Sequence, residues 1–278
     1  MNSIISMDQV NRRLGHEKVV LVDCRFNLQK PDEGRYHYMQ GHLPGAIFFD
    51  LEKDLSAKVA EHGGRHPLPD EEEFVKKLGK SGIDETKTVI AYDDQDGAMA
   101  AHLWWLLQYY GHPNVQIMDE GFTTWKEKGY PIEQEIPVTK ETHFIPHIHR
   151  DWVLTMSDVK ALDVSKGETI LIDSRAPERF SGKVETVDKK AGHIPGAVNW
   201  FWKDNRSEQG RWKTAEELKS RFEPLKQKDQ IVVYCGSGVT ACGNIIAMRE
   251  AGIENIKLYS GSWSDWISYE NNPIQTEE

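Results

Sequence analysis

Cys235 closes the apolar run Ile231-Val232-Val233-Tyr234 and is followed by Gly-Ser-Gly-Val-Thr, after which a helical pattern begins. A cysteine in that position is either a small core filler or a nucleophile presented to a ligand. The loop favours the second reading. The successive N–H groups of Gly236, Ser237, Gly238, Val239 and Thr240 can curl around one point at the open end of the helix, where they favour an anion. A thiolate at Cys235 is stabilised by such a cradle. Gly236 and Gly238 permit positive φ and close approach, and the small side chains leave room for a second sulfur atom. The chemistry that suits this arrangement is nucleophilic attack by sulfur with a covalent intermediate.

The elements that must position this loop are read from an internal repeat. Val19-Val-Leu-Val-Asp-Cys-Arg25 recurs as Thr169-Ile-Leu-Ile-Asp-Ser-Arg175, and Gly41-His-Leu-Pro-Gly-Ala46 recurs as Gly192-His-Ile-Pro-Gly-Ala197. Val89-Ile-Ala-Tyr-Asp93 is matched by Val232-Val-Tyr-Cys235, and the Gly-Phe-Thr-Thr-Trp at 121–125 by the Gly-Ser-Trp-Ser-Asp-Trp at 261–266. The order is kept, so the chain is a duplicated domain. The first half is longer between its second and third landmarks, in the region of Glu61-His-Gly-Gly-Arg-His-Pro-Leu-Pro69. Each half alternates short apolar runs, of the kind buried on both faces of a parallel sheet, with helical patterns. Ser6 with Gln9 makes a capping box, and the helical runs after Asp93 and after Cys235 stop at Gly111 and Gly252. The fold class is α/β: two tandem domains, each a parallel β-sheet flanked by helices. The expected boundaries are 1–135, a proline-bearing linker at 136–152, and 153–278.

Composition bounds the function. Over 278 residues, 34 Lys plus Arg stand against 44 Asp plus Glu, a formal charge of −10, which gives nucleic-acid binding no whole-chain support. No apolar run is long enough to span a membrane, and the N-terminal residues do not form a signal segment. The three cysteines, Cys24, Cys235 and Cys242, are an odd and sparse set that fits a reducing compartment. A cytoplasmic protein is expected. His143, His147 and His149 cluster in the linker without a supporting Cys or carboxylate at metal spacing, so no metal site is expected there.

The duplicated Asp-x-Arg, the repeated Gly-His-(Leu/Ile)-Pro-Gly-Ala and the Cys-Gly-Ser-Gly-Val-Thr loop resemble the two-domain rhodanese family of sulfurtransferases, and the loop resembles its 3-mercaptopyruvate branch. The resemblance covers nearly the whole chain. It implies two rhodanese-like domains with chemistry only in the second. The residues agree, because Asp93 occupies the place of Cys235 and a carboxylate cannot accept a sulfane sulfur. The implied reaction is double displacement, in which Cys235 takes sulfur from a small-molecule donor and an acceptor removes it, with no cofactor. The acceptor is a thiol, thioredoxin or cyanide. The alternative is a persulfide carrier that hands its sulfur to a partner protein. A cysteine phosphatase of related architecture is disfavoured, since its Cys-x5-Arg loop would need an arginine where Ala241 stands, and Cys242 follows it.

Other roles follow from the same resemblance. Arg179 in Asp-Ser-Arg-Ala-Pro-Glu-Arg-Phe matches the family's substrate-binding arginine, and its fork can hold a carboxylate. Arg175 recurs as Arg25 in the half without chemistry and is read as structural. A second arginine is common in this branch before Gly-His-Ile-Pro-Gly, but Ser181 to Ala191 contains only Lys183, Lys189 and Lys190. Lys183 is therefore the candidate second cation. The neutral Gly236 and Ser237 favour 3-mercaptopyruvate over thiosulfate. His66 matches the histidine of a His-x-Leu-Pro element, and with Ser237 and an acid, Glu52 ahead of Asp50, it forms a candidate proton relay.

Overall fold

The computed structural model describes residues 2–277; Met1 and Glu278, the outer limits of the two expected domains, lie outside them. The described chain forms two compact units. The first takes the residues up to Ala57, Leu68–His149 and Glu208–Trp212; the second takes Lys58–Pro67, Arg150–Ser207 and the residues from Lys213 onward. The units are thus not two contiguous halves. The longer loop of the first half is folded with the second unit, and a short loop of the second half with the first.

In the first unit β1 (Ile4–Ile5), β2 (Val19–Asp23), β3 (Ile47–Phe48), β4 (Thr88–Tyr92) and β5 (Val115–Met118) make a parallel sheet in the order β1-β5-β4-β2-β3. Its central strands are apolar on both faces because helices cover both, and Val22, Ile90 and Ile117 are fully enclosed. The Ser6–Gln9 capping box opens the first helix, Met7–Asn11. The second unit repeats the plan with β6 (Val153–Leu154), β7 (Thr169–Asp173), β8 (Ala197–Asn199), β9 (Gln230–Tyr234) and β10 (Ile256–Tyr259), in the order β6-β10-β9-β7-β8. Asp23 pairs with Tyr92 in one unit and Asp173 with Tyr234 in the other, so the repeat holds to the residue at the carboxyl ends of the central strands. Ligands of open α/β sheets bind at that end.

The Asp-x-Arg motif explains why this end is rigid. Arg175 Nη2 donates to Asp173 Oδ2 (2.6 Å) and to the Gly192 carbonyl (2.7 Å), and Arg25 makes the same bonds to Asp23 and Gly41 at the same lengths. Each arginine ties the end of its strand to the start of the Gly-His-(Leu/Ile)-Pro-Gly turn. Both are buried, and their charge is spent on the fold.

The stretch expected as a linker is irregular but bonded up to His149. The N–H of Thr142 donates to the Gly79 carbonyl, those of His147 and His149 to the carbonyls of Tyr110 and Tyr109, and Phe144 is buried. These bonds place 139–149 with the first unit. Among the described residues no group of three or more His, Cys, Asp or Glu side chains is arranged to hold a metal ion, and no helix is long and apolar enough to cross a membrane.

Candidate active site

Cys235 stands immediately after β9, buried with 1% of its surface exposed. Its N–H donates to Ser262 Oγ (3.1 Å), its carbonyl accepts the Trp263 N–H (3.0 Å), and the Gly236 carbonyl accepts the Ser264 N–H (3.0 Å). The backbone at Cys235 is therefore fixed on both sides. Gly238 has φ +84°, and a Cβ there would lie 2.5 Å from the Ser260 carbonyl oxygen, so only glycine fits. Ser237 and Val239 are buried, Thr240 is partly exposed, and the helix Ala241–Glu250 follows.

The first unit shows what such a turn holds. Asp93 follows β4 as Cys235 follows β9, and its carboxylate is buried inside its own loop. Oδ1 accepts the N–H groups of Gln95 (2.8 Å) and Gly97 (2.9 Å), and Oδ2 accepts those of Met99 (2.8 Å) and Ala100 (2.9 Å). Burial pushes the Asp93 carboxyl up from its ordinary range, and the four amides pull against that shift. The turn is an anion cradle, and in this unit the chain's own carboxylate fills it.

His66 reaches the Cys235 loop within the second unit. Its Nδ1 lies 2.8 Å from Ser237 Oγ, and both side chains are buried. Burial, and after it the charge of neighbouring Arg65, lowers the imidazole from 6.5 to about 4, so the ring is neutral at neutral pH. A neutral ring can accept the Ser237 hydroxyl at Nδ1 in the tautomer that carries its proton on Nε2. The segment that delivers His66 is anchored by Gly63 N–H to Asp265 Oδ1 (2.7 Å) and by Arg65 N–H to Ser264 Oγ (3.1 Å).

Arg179 also belongs to the loop's surroundings. A Cβ placed on Gly236 would lie 2.9 Å from Arg65 Nη2, 3.5 Å from Asp188 Oδ2 and 3.6 Å from Arg179 Nη2. Two guanidinium groups thus stand over Gly236 with a carboxylate between them. Arg179 Nη2 donates to Asp188 Oδ2 (2.7 Å) and pairs with Glu185 Oε1 (2.9 Å), and Arg65 Nη1 pairs with Asp188 Oδ1. Burial pulls the Arg65 guanidinium down from its ordinary value, while the charge of Cys235 acts in the opposite direction.

Three further candidates have local surroundings of their own. Lys183 is exposed; the strap from Ser181 to Gly192 turns Glu185 and Asp188 inward instead, and the second cation at the loop is Arg65. Asp50 belongs to the first unit and caps a local turn, its Oδ1 accepting the N–H groups of Glu52 (3.0 Å) and Lys53 (3.1 Å). Glu52 is an exposed residue of that turn. Carboxylates just after a strand commonly cap the turn that follows, which accounts for both acids locally. Sequence reasoning passed over Arg65, whose signal was its place between two glycines and His66.

Cys24 and Cys242 are buried and form no disulfide, and burial raises both thiols well above their ordinary range.

Comparison with known proteins agrees with this geometry. The family model described as the rhodanese-like domain matches residues 6–128 and again 155–269. A protein of Pseudomonas aeruginosa named a probable 3-mercaptopyruvate sulfurtransferase is 38% identical over 98% of this chain and 98% of its own. The sulfur carrier protein TtuD of Thermus thermophilus is 31% identical over 99% of this chain and 97% of its own. Among solved structures, SseA from Escherichia coli, described with the 3-mercaptopyruvate sulfotransferases, aligns with a TM-score of 0.82 at 30% identity over 95% of this chain and all of that one. With two matches to the rhodanese-like domain, a Cys235 loop in the second unit and its carboxylate-filled counterpart in the first, the chain belongs to the rhodanese family.

Proposed function

We propose that the protein is a cytoplasmic sulfurtransferase that moves the sulfur of 3-mercaptopyruvate, and less readily of thiosulfate, through a persulfide on Cys235 to a thiol, thioredoxin or cyanide. The observation that carries this reading is the Asp93 carboxylate on four main-chain N–H groups, in the turn that in the second unit begins with Cys235. An aspartate carries its oxygens two bonds from Cβ, and a persulfide carries its outer sulfur at the same remove. The equivalent amides of the second loop, those of Ser237, Val239 and Ala241, are thereby suited to hold an anionic outer sulfur, while that of Cys242 donates to the Val239 carbonyl (3.2 Å).

The first half-reaction balances without an added reagent. The Cys235 thiolate attacks the donor's sulfur, the carbon–sulfur bond breaks, and its electron pair stays on carbon as the enolate of pyruvate. The hydrogen of the donor thiol leaves the acidic outer sulfur and reaches that carbon, with the Ser237 hydroxyl and the neutral His66 ring as carriers. In the second half-reaction an acceptor nucleophile takes the outer sulfur and the Cys235 thiolate is restored. Thiosulfate needs no proton at carbon, so its turnover depends much less on the Ser237–His66 pair. Three cysteines that form no disulfide accord with a reducing cytoplasm. Steady-state rates with both donors, for the wild type and for Cys235→Ser, test the proposal; turnover with mercaptopyruvate supports it, and turnover that survives the substitution refutes it.

A further inference from the structure

We infer that Arg65 and Arg179 together form the clamp for the donor's anionic end, and that Asp188 is the clamp's resident counter-ion, which a donor carboxylate displaces. The inference rests on the sulfurtransferase reading of Cys235 and deepens it by naming what grips the donor. Its basis is geometric. The Nη2 atoms of the two arginines both lie within 3.6 Å of a single point, the position a Cβ on Gly236 would take. Asp188 spans them, with Oδ1 on Arg65 and Oδ2 on Arg179, as a bidentate carboxylate ligand would. The Asp188 side chain is 3% exposed, whereas that of Arg65 is 28% exposed, so the pair is open to solvent from the arginine side.

Arg65 also keeps an unspent donor. Its Nε is buried with no hydrogen-bond partner among the described residues, and a buried N–H without an acceptor is costly unless a ligand supplies one. The segment is built to hold the side chain in place. Gly64 has φ +84°, and a Cβ there would collide with the Gly261 carbonyl oxygen at 2.4 Å, so the main chain lies flat against the residues that follow β10. The strap that carries Asp188 runs between Gly182 (φ +84°) and Gly192 (φ +110°) and exposes Val184 and Val187, a surface that can shift when Asp188 is released. Exchange of one carboxylate for another leaves the net charge of the clamp unchanged. Specificity then comes from the fork geometry, which a lysine does not reproduce.

Alkylation of Cys235 by two small reagents tests the clamp without relying on sulfur transfer. Iodoacetate carries a carboxylate and iodoacetamide does not, so the ratio of their rates reads anion steering at the nucleophile. For Arg65→Ala the ratio should fall about tenfold relative to the wild type, for Arg65→Lys it should fall by less, and for Asp188→Asn it should rise. The iodoacetamide rate serves as the control for an intact loop, and Arg65→Lys carries the test if the alanine variant does not fold. An unchanged ratio in Arg65→Ala or Arg65→Lys overturns the clamp, and a lowered ratio in Asp188→Asn overturns the displacement of Asp188. If the ratios respond as stated but the wild type does not turn over mercaptopyruvate, the sulfurtransferase reading fails and the anion clamp stands.

Discussion

Asp93 and Cys235 occupy the same turn in the two repeated units, one following β4 and the other β9. The first is a carboxylate held by four main-chain N–H groups, and the second is a thiol at the mouth of a matching loop. One turn thus has its anion built in, and the other begins with a thiol in the same place.

Replacement of Asp93 by alanine strips the acceptor from four buried or partly buried donors. The expected loss is about 3 kcal/mol or more, since charged hydrogen bonds and unsatisfied buried donors each cost on that order. Asp93→Asn keeps one acceptor oxygen and should lose less. Urea unfolding measures both, and an alanine variant as stable as the wild type would contradict the cradle.

Gly238→Ala addresses the active cradle. A methyl group at φ +84° and 2.5 Å from the Ser260 carbonyl oxygen forces the loop to move. We expect a loss of about 2 kcal/mol or more in stability and a fall in the alkylation rate of Cys235. Retention of both would show that the amide geometry does not govern the nucleophile.

His66→Ala and Ser237→Ala should slow turnover with mercaptopyruvate by about tenfold or more and turnover with thiosulfate much less, because only the first reaction delivers a proton to carbon. Equal effects on the two donors in stopped-flow or steady-state assays would remove the proton-carrying role.

The imidazole of His66 sets a pH signature. With its folded value lowered from 6.5 to about 4, the neutral form is favoured by folding. The associated stability, about 3 kcal/mol, is complete above pH 6.5 and is lost as the pH falls from there towards 4. Mercaptopyruvate turnover should accordingly show no limb near pH 6.5 arising from this residue. Arg65→Ala removes part of the cause and should move the acidic limb upward. A wild-type limb at 6.5 that disappears in His66→Ala would contradict the neutral ring.

Much of this architecture was legible in the residues. The repeats fixed two sheets because apolar strands separated by capped helices have few other ways to bury both faces. They even placed Asp23 and Asp173 at equivalent strand ends. The Cys235 loop was legible because a strand end, two glycines and a helix start constrain the backbone locally. The His66–Ser237 contact was reachable only through the family resemblance, since 171 positions separate the two residues. Arg65 escaped notice for the same reason: it sits in the first half's longer loop, and nothing local says that the loop folds with the second unit. Lys183 was favoured by charge alone, but the strap's direction, set by Glu185 and Asp188, turns it to the surface. The capped turn at Asp50 is a local feature, legible from the spacing of Asp50, Glu52 and Lys53 after β3.

The most direct measurement is the mass of the Cys235 peptide after the protein is exposed to mercaptopyruvate and then to cyanide. The account predicts a gain of one sulfur atom on Cys235 that cyanide removes as thiocyanate. A protein that turns over the donor while Cys235 stays unmodified, or that carries the added sulfur on Cys24 or Cys242 instead, would contradict it.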